Sequence, residues 1–223
     1  IDFETIVVND ALEDESKEVC QNYKEKLNIK YIFSGQRNLD GELKWRVPGY
    51  AINIGVQQSS GQVLIISCAE MFHLNNTIQM LTEPVLENKK TLAIPEGWDD
   101  RDGSFLQQLN STQGSYDINL LNRCSELNTY LPFLMAINSQ EFFEIGGYDE
   151  DFTGMAFDDN DLVERLQLNG CSYLKTDAKA VHLYHPRIVY GKENDPAFLY
   201  NKRIYISRKG RVVRNKNREW GKL

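Results

Sequence analysis

The sequence predicts a single α/β domain built on a mainly parallel central sheet, and three observations carry that expectation. Short apolar runs alternate with amphipathic stretches through all 223 residues, the pattern of successive β-α-β units. The length suits one such domain, enough to bury about 70–75% of the unfolded surface. Turn-forming residues punctuate the runs, with neither an internal repeat nor a low-complexity linker between them.

Taken in order, Thr5–Asn9 (TIVVN) reads as a buried strand that stops at Asp10, and an acidic loop leads to a helix over about Ser16–Leu27. Ile29–Ser34 is the next strand. A polar loop through Gly35–Gly41 follows, and Pro48 marks a helix start, where a locked φ and a missing N–H cost nothing. Val63–Ser67 is a third strand, Asn75–Leu86 a helix with Ile78, Leu81 and Val85 as its apolar positions, and Thr91–Pro95 a fourth strand. Residues 96–128 are polar and poorly periodic, with Asp99, Asp100, Arg101, Asp102 and Gly103 in one cluster; so long an irregular stretch marks function or mobility. Phe133–Asn138 returns to strand character, and Ser139–Ile145 is a short helix ended by Gly146-Gly147. A helix over Asp158–Asn169 and two short strands around Tyr173 and Val181 complete the core.

Charge divides the chain. Nine Lys or Arg and one acid lie between Lys202 and Lys222, so the rest is strongly acidic against a net charge of -7. An acidic body argues against nucleic-acid binding. The economical division is a domain over residues 1–200 and a basic tail over 201–223; the tail reads as a solvated, partly helical terminus, or as a contact for a membrane surface or partner. No apolar run reaches the ~20 residues of a membrane helix. Four singly scattered cysteines read as reduced thiols, so a cytoplasmic location is expected. The sequons at Asn75 and Asn110 would matter only in a secretory compartment.

Four places carry candidate chemistry. Asn9-Asp10 ends the first strand, and ligands of open α/β sheets bind outside the carboxyl ends of strands; a turn-forming Asp is the plainer reading. Cys68-Ala69-Glu70 follows the third strand, with His73 three residues on, and Glu70 could ligate a hard cation whose other oxygens come from phosphates, or simply start a helix. Asp158-Asp159-Asn160-Asp161 opens a helix; one acid suffices for capping, and three that repel one another can raise a pKa into the range of a general base. Val181-His182-Leu183-Tyr184-His185 holds two of the chain's three histidines, as metal ligands or as core histidines.

The order of these features resembles the family 2 glycosyltransferases of GT-A fold, over nearly all of residues 1–190. Phe3 to Asp10 is similar to the family's strand ending in acids, and Ala51-Ile52-Asn53-Ile54-Gly55, then Gly61 to Ile65, to its A-x-N-x-G helix and metal-binding strand. Phe133 to Ile137 and Phe142 to Phe152 resemble the acceptor-side segment, and Asp158 to Leu162 with Arg165 the E-D-x-D-L-x-x-R helix. The resemblance implies a Rossmann-like nucleotide-diphospho-sugar transferase sandwich that moves a hexosyl group, with inversion, from a nucleotide sugar (a UDP-sugar first) to a glycan, lipid-linked or protein acceptor. By position it implies that Asp10 contacts the nucleobase, that Asn9 and Asn53 lie near the nucleotide and that Arg46 pairs with its phosphates. Glu70 and His185 would hold Mn²⁺ or Mg²⁺, and Asp159, beside Asp158, would be the catalytic base. Two departures stand out: the first Asp of the family's D-x-D is Cys68, and Ile1 falls at the family's second strand, so a first β-α unit is expected to be missing. A catalytically silent carbohydrate- or partner-binding module and a related nucleotidyltransferase are the competing readings. Asp10 and Glu70 are expected at one carboxyl edge of the sheet.

Overall fold

The computed structural model describes residues 1–10, 12–35, 46–154, 156–186 and 195–223. Among these the chain forms two compact units. One holds residues 1–62, 139–169 and the C-terminal stretch from 195; the other holds 63–138 and 170–186. Gly35–Gly41 lies almost wholly outside the described residues.

In the first unit, β1 (Thr5–Asn9) pairs in parallel with β2 (Ile29–Phe33) through the connecting helix α1 (Ser16–Tyr23). Helix α2 (Pro48–Gln57) packs against β1 and starts with proline in its first turn, as the sequence predicts. The short helix α5 (Ser139–Glu144) and helix α6 (Asp158–Leu168) belong to the same unit. So does α7 (Pro196–Arg208), capped by Asp195, whose carboxylate accepts from the N–H groups of Ala197 and Phe198.

The second unit is a sheet covered on both faces. Its order is β3 (Val63–Ser67), β7 (Leu134–Asn138), β5 (Thr91–Asp99), β8 (Ser172–His182), β4 (Met71–His73), with the two-residue β6 (Ser125–Glu126) on the far end of β5. Helix α3 (Thr77–Glu87) buries Leu81 and Val85 against Ala93, Leu134, Ala136 and Ala180. A second cluster gathers Phe105 and Leu109 of α4 (Ser104–Ser111), Leu121 of a 3₁₀ helix and Val181. The α/β class holds, but the sheet is mixed rather than mainly parallel: β5·β8 is its one parallel pair, and β7 runs against both neighbours. The reason lies in residues 100–133. They return the chain to the end at which β5 stopped, where Leu134 pairs with Ser67, whereas a parallel neighbour needs a crossover to the opposite end. The two short strands around Tyr173 and Val181 are one long strand, carried across a register shift at Ile94/Glu96.

The basic stretch 201–223 is folded into the first unit. Arg214 is 6% exposed, with Nη2 donating to Asp161 at 2.6 Å and Nε 3.0 Å from Asp149. Arg208 pairs with Asp149 and Asp151, and Arg218 with Asp151. The Trp220 ring lies 5.5 Å from that of Phe143 and 6.2 Å from that of Phe142. Losing Arg214 leaves Asp161 with Arg165 and Asp149 with Arg208, so Arg214→Met should cost about 1.5–3 kcal/mol in urea denaturation, the worth of a hydrogen bond between charged groups. Arg218→Met, at a half-exposed pair, should cost under about 1 kcal/mol. Equal losses from the two substitutions would show that the segment is held by something other than its buried charge.

Candidate active site

The acids at the start of α6 are entered through strained backbone. Ala156 and Phe157 both have left-handed φ, 79° and 72°, in residues with side chains. Asn201 of α7 compensates: its amide Nδ2 donates to the carbonyls of Thr153 and Ala156 at 2.6 and 3.1 Å, and its Oδ1 accepts from Thr153 N at 3.0 Å. The Phe157 ring packs on Phe198 and Tyr205 of the same helix. The turn before α6 is held as firmly. Asn53, fully buried in α2, accepts from Tyr148 N at 2.8 Å and donates to Tyr148 O at 2.9 Å and to Glu150 at 3.0 Å. From the C-terminal segment, Asn215 Nδ2 donates to Gly146 O and Tyr148 O at 2.8 and 2.6 Å.

The three carboxylates of α6 have three different fates. Asp161, 2% exposed, is consumed by structure: Arg165 Nε donates to it at 2.6 Å, and Arg214 takes its other oxygen. Asp159 accepts from the Tyr148 hydroxyl at 3.0 Å. Asp158 is 5% exposed; the backbone N–H groups at the helix start and of Gly49 favour its charged form, but among the described residues its Oδ2 is buried with no donor. Burial first, and then the charge of Asp159, pushes the Asp158 carboxyl up to about 7. Burial also raises Asp159, while the Tyr148 hydroxyl pulls it back. Gly49 is where the Tyr148 ring rests: a Cβ there would sit 2.2 Å from Tyr148 Cδ1.

The other expected site residues of this unit divide. Asn53 spends both ends of its amide on Tyr148 and Glu150, so it is a strut for the turn. Asn9 likewise closes the acidic loop, its Nδ2 donating to Leu12 O, Asp14 and the Tyr31 hydroxyl. Asp10 stands at the end of β1, where the Ser34 hydroxyl donates to its Oδ1. Arg46 stacks over the Tyr50 ring with Cζ 4.0 Å from the centroid, and its Nη1 is buried without a partner among the described residues. A guanidinium with an unused N–H suits a phosphate.

In the second unit, Glu70 sits just before β4, and its carbonyl accepts from Leu183 N at 2.9 Å. That bond brings the backbone at Glu70 beside the strand end that carries His182 and His185. The ring of His185 lies 5.2 Å from that of His182, whose Nδ1 is 3.2 Å from Asp99 Oδ1. The Asp99–His182 pair is a polar core feature that the sequence does not disclose; the acid cluster at 99–102 was its one signal. Among the described residues no group of three His, Cys, Asp or Glu is placed to hold a metal ion. Two side chains fall short of the ligand number of a hard cation, so phosphate oxygens would have to supply most of the ligands in any site built on Glu70 and His185.

Comparison with known proteins fits this geometry. Residues 1–147 match the family described as Glycosyl transferase family 2, and residues 113–187 match one described as N-terminal domain of galactosyltransferase. Validoxylamine A glucosyltransferase of Streptomyces hygroscopicus subsp. jinggangensis is 23% identical over 197 residues, 76% of this chain and 45% of that protein. The chain thus spans less than half the length of the curated relatives it matches. Among solved structures, GalNAc-T7 with UDP, GalNAc and Mn²⁺ superposes with a TM-score of 0.61 at 17% identity, over 92% of this chain and 42% of that one. S. aureus TarS with UDP-GlcNAc gives 0.61 at 16%, over 92% and 57%. The catalytic domain of Drosophila β1,4-galactosyltransferase 7 gives 0.53 at 12%, over 95% and 83%. The fold is that of these GT-A enzymes.

The raised pKa of Asp158 has a consequence for stability. A carboxyl that binds its proton more tightly in the folded state contributes stability that is fully present below the ordinary carboxylate range and is lost as pH rises through about 7. Relative to Asp158→Asn, the native chain should lose up to about 1.4 kcal/mol per pH unit between roughly pH 4 and 7, then level off. Urea denaturation of both proteins across that range reads the difference directly; parallel stability curves would mean that Asp158 is charged in the folded state.

Proposed function

Because the chain belongs to glycosyl transferase family 2, we propose that it moves a sugar from a nucleotide-sugar donor, a UDP-sugar first, to an acceptor hydroxyl with inversion. The observation that carries this reading is Asp159: a half-buried carboxylate at a helix start, aimed by a tyrosine hydroxyl and standing beside a buried second carboxyl whose affinity for a proton is raised by burial. That is what a general base requires. The acceptor oxygen attacks the anomeric carbon as its proton passes to Asp159. The bond from that carbon to the diphosphate oxygen breaks, and its electron pair leaves with the nucleotide. One displacement suffices, with no covalent sugar–protein intermediate.

Other residues bind and orient. Asp10 accepts from an N–H of the nucleobase, and the spare Nη1 of Arg46 donates to a phosphate oxygen. Glu70 and His185 would hold Mn²⁺ or Mg²⁺, which supplies charge neutralisation of the diphosphate when bound. GalNAc-T7 and TarS, of the same fold, were solved with UDP and Mn²⁺ and with UDP-GlcNAc, which supports a UDP-linked donor here. Cys68 in place of the first D-x-D acid favours the rival reading, a silent module.

Calorimetric titration with UDP in the presence and absence of Mn²⁺ separates the two readings, since a silent module takes up neither. Glu70→Ala should abolish the Mn²⁺ dependence of UDP binding. In a UDP-release assay over a panel of UDP-sugars, Asp159→Asn should lower turnover by about 10²–10⁴-fold, with UDP affinity unchanged. Normal turnover in that variant would remove Asp159 from the chemistry.

A further inference from the structure

Tyr148 has no role in the mechanism so far beyond touching Asp159, yet its surroundings are built to fix it. The side chain is fully buried. Its backbone is bracketed by Asn53 on one side and Asn215 on the other. Its ring occupies the space above Gly49 and lies 6.2 Å from that of Phe142. The hydroxyl is the one polar atom of a side chain so constrained, and it points at Asp159 Oδ1 at 3.0 Å.

Tyr148 and Asp158 give the two carboxyls unequal environments. A phenol donating to a carboxylate stabilises the charged form. Asp158 Oδ2 has no donor among the described residues, and a buried carboxylate oxygen without one is costly as an anion and comfortable as a protonated hydroxyl. We propose that Tyr148 is a positioning residue: its hydroxyl keeps the negative charge of the Asp158–Asp159 pair on Asp159 and leaves the pair's proton on Asp158. The backbone N–H groups of Asp158, Asp159 and Gly49 act the other way on Asp158, and its burial outweighs them. Among the described residues, α6 also brings Asp161, neutralised by Arg165 and Arg214; α2 brings the Gly49 N–H; the C-terminal segment offers Arg214, already paired with Asp161 and Asp149. The direction of the raised Asp158 pKa agrees.

For sugar transfer, which rests on the reading above, the assignment means that Asp159 is ready to accept a proton at neutral pH without competing with a second anion. The assignment itself depends on no substrate, so it is tested on the chain alone. The carboxyl carbons of ¹³C-aspartate-labelled protein are followed by NMR from pH 3 to 9. The curve centred near 7 should vanish in Asp158→Asn, and the curve lost in Asp159→Asn should lie below it. Tyr148→Phe, which keeps the ring in place, should move the Asp159 curve up by about one pH unit. The same shift should appear in the acid limb of the pH profile for UDP release. The proposal is overturned if the near-neutral curve belongs to Asp159, or if Tyr148→Phe moves neither curve. The two Asn variants decide the proton's location even if Tyr148→Phe misfolds. Absence of UDP release from the native chain would count against the glycosyltransferase reading and leave the titration to stand by itself.

Discussion

The carboxylate of Asp161 lies between two guanidiniums, and the first unit is organised around that contact. Arg165 is 1% exposed, and burying it so deeply is tolerable only because each face of its fork is used: Nε meets Asp161, Nη1 the carbonyl of Ile145 and Nη2 that of Gly147. Those carbonyls belong to the turn that delivers Tyr148, so one side chain fixes both the start of α6 and the turn that faces it. Arg214 closes the set by occupying the second oxygen of Asp161 and facing Asp149. Helix, turn and C-terminal segment thus form one charge-balanced assembly. Take away Arg214 and both Asp161 and Asp149 lose one of their partners.

This assembly also marks the boundary of what could be read in the sequence. TIVVN and VLIIS were legible as strands because nearly continuous apolar character over five residues has few other uses. The long strand β8 was not: Lys175, Thr176 and Asp177 interrupt its apolar pattern, and only the structure shows Thr176 Oγ1 donating to Ile94 O at the register shift. Helix α7 leaves Leu199, Tyr200 and Ile206 exposed, so it presents no stripe for periodicity to detect. The acids of α6 were visible as a cluster, but their separate fates were not. Those depend on partners such as Arg214, fifty-three residues away, and on the turn held by Asn53, ninety-five residues from Tyr148. The A-x-N-x-G pattern locates Asn53 but not its bonds to Tyr148 and Glu150, because a motif gives a position and not the atom it will bond. The basic tail was read from charge alone, which cannot distinguish solvated arginines from arginines facing buried acids.

In the second unit, backbone bonds hold the strand end at Cys68 and Glu70. The backbone N–H of Cys68 donates to Phe133 O, extending the β3·β7 ladder by one residue, and the carbonyl of Glu70 is tied to Leu183. Neither bond involves the side chain at position 68. The backbone of this strand end is thus fixed independently of those side-chain atoms.

A helix start explains why two adjacent acids at α6 need not do the same job. Unsatisfied N–H groups and the helix dipole favour one anion in the first turn. A second anion in the same buried space gains much less from donors already engaged and pays for the proximity of the first. The pair must then divide into one charged and one neutral member, and small differences in hydrogen bonding choose which. The left-handed residues Ala156 and Phe157 set the angle at which both side chains enter, at a cost of order 1–2 kcal/mol each. That cost is sustained because Asn201 and the aromatic contacts of Phe157 hold the loop from outside. Strain in the loop, burial of the acids and the single phenolic donor are therefore parts of one arrangement, in which a residue that never touches the acceptor decides where the charge resides.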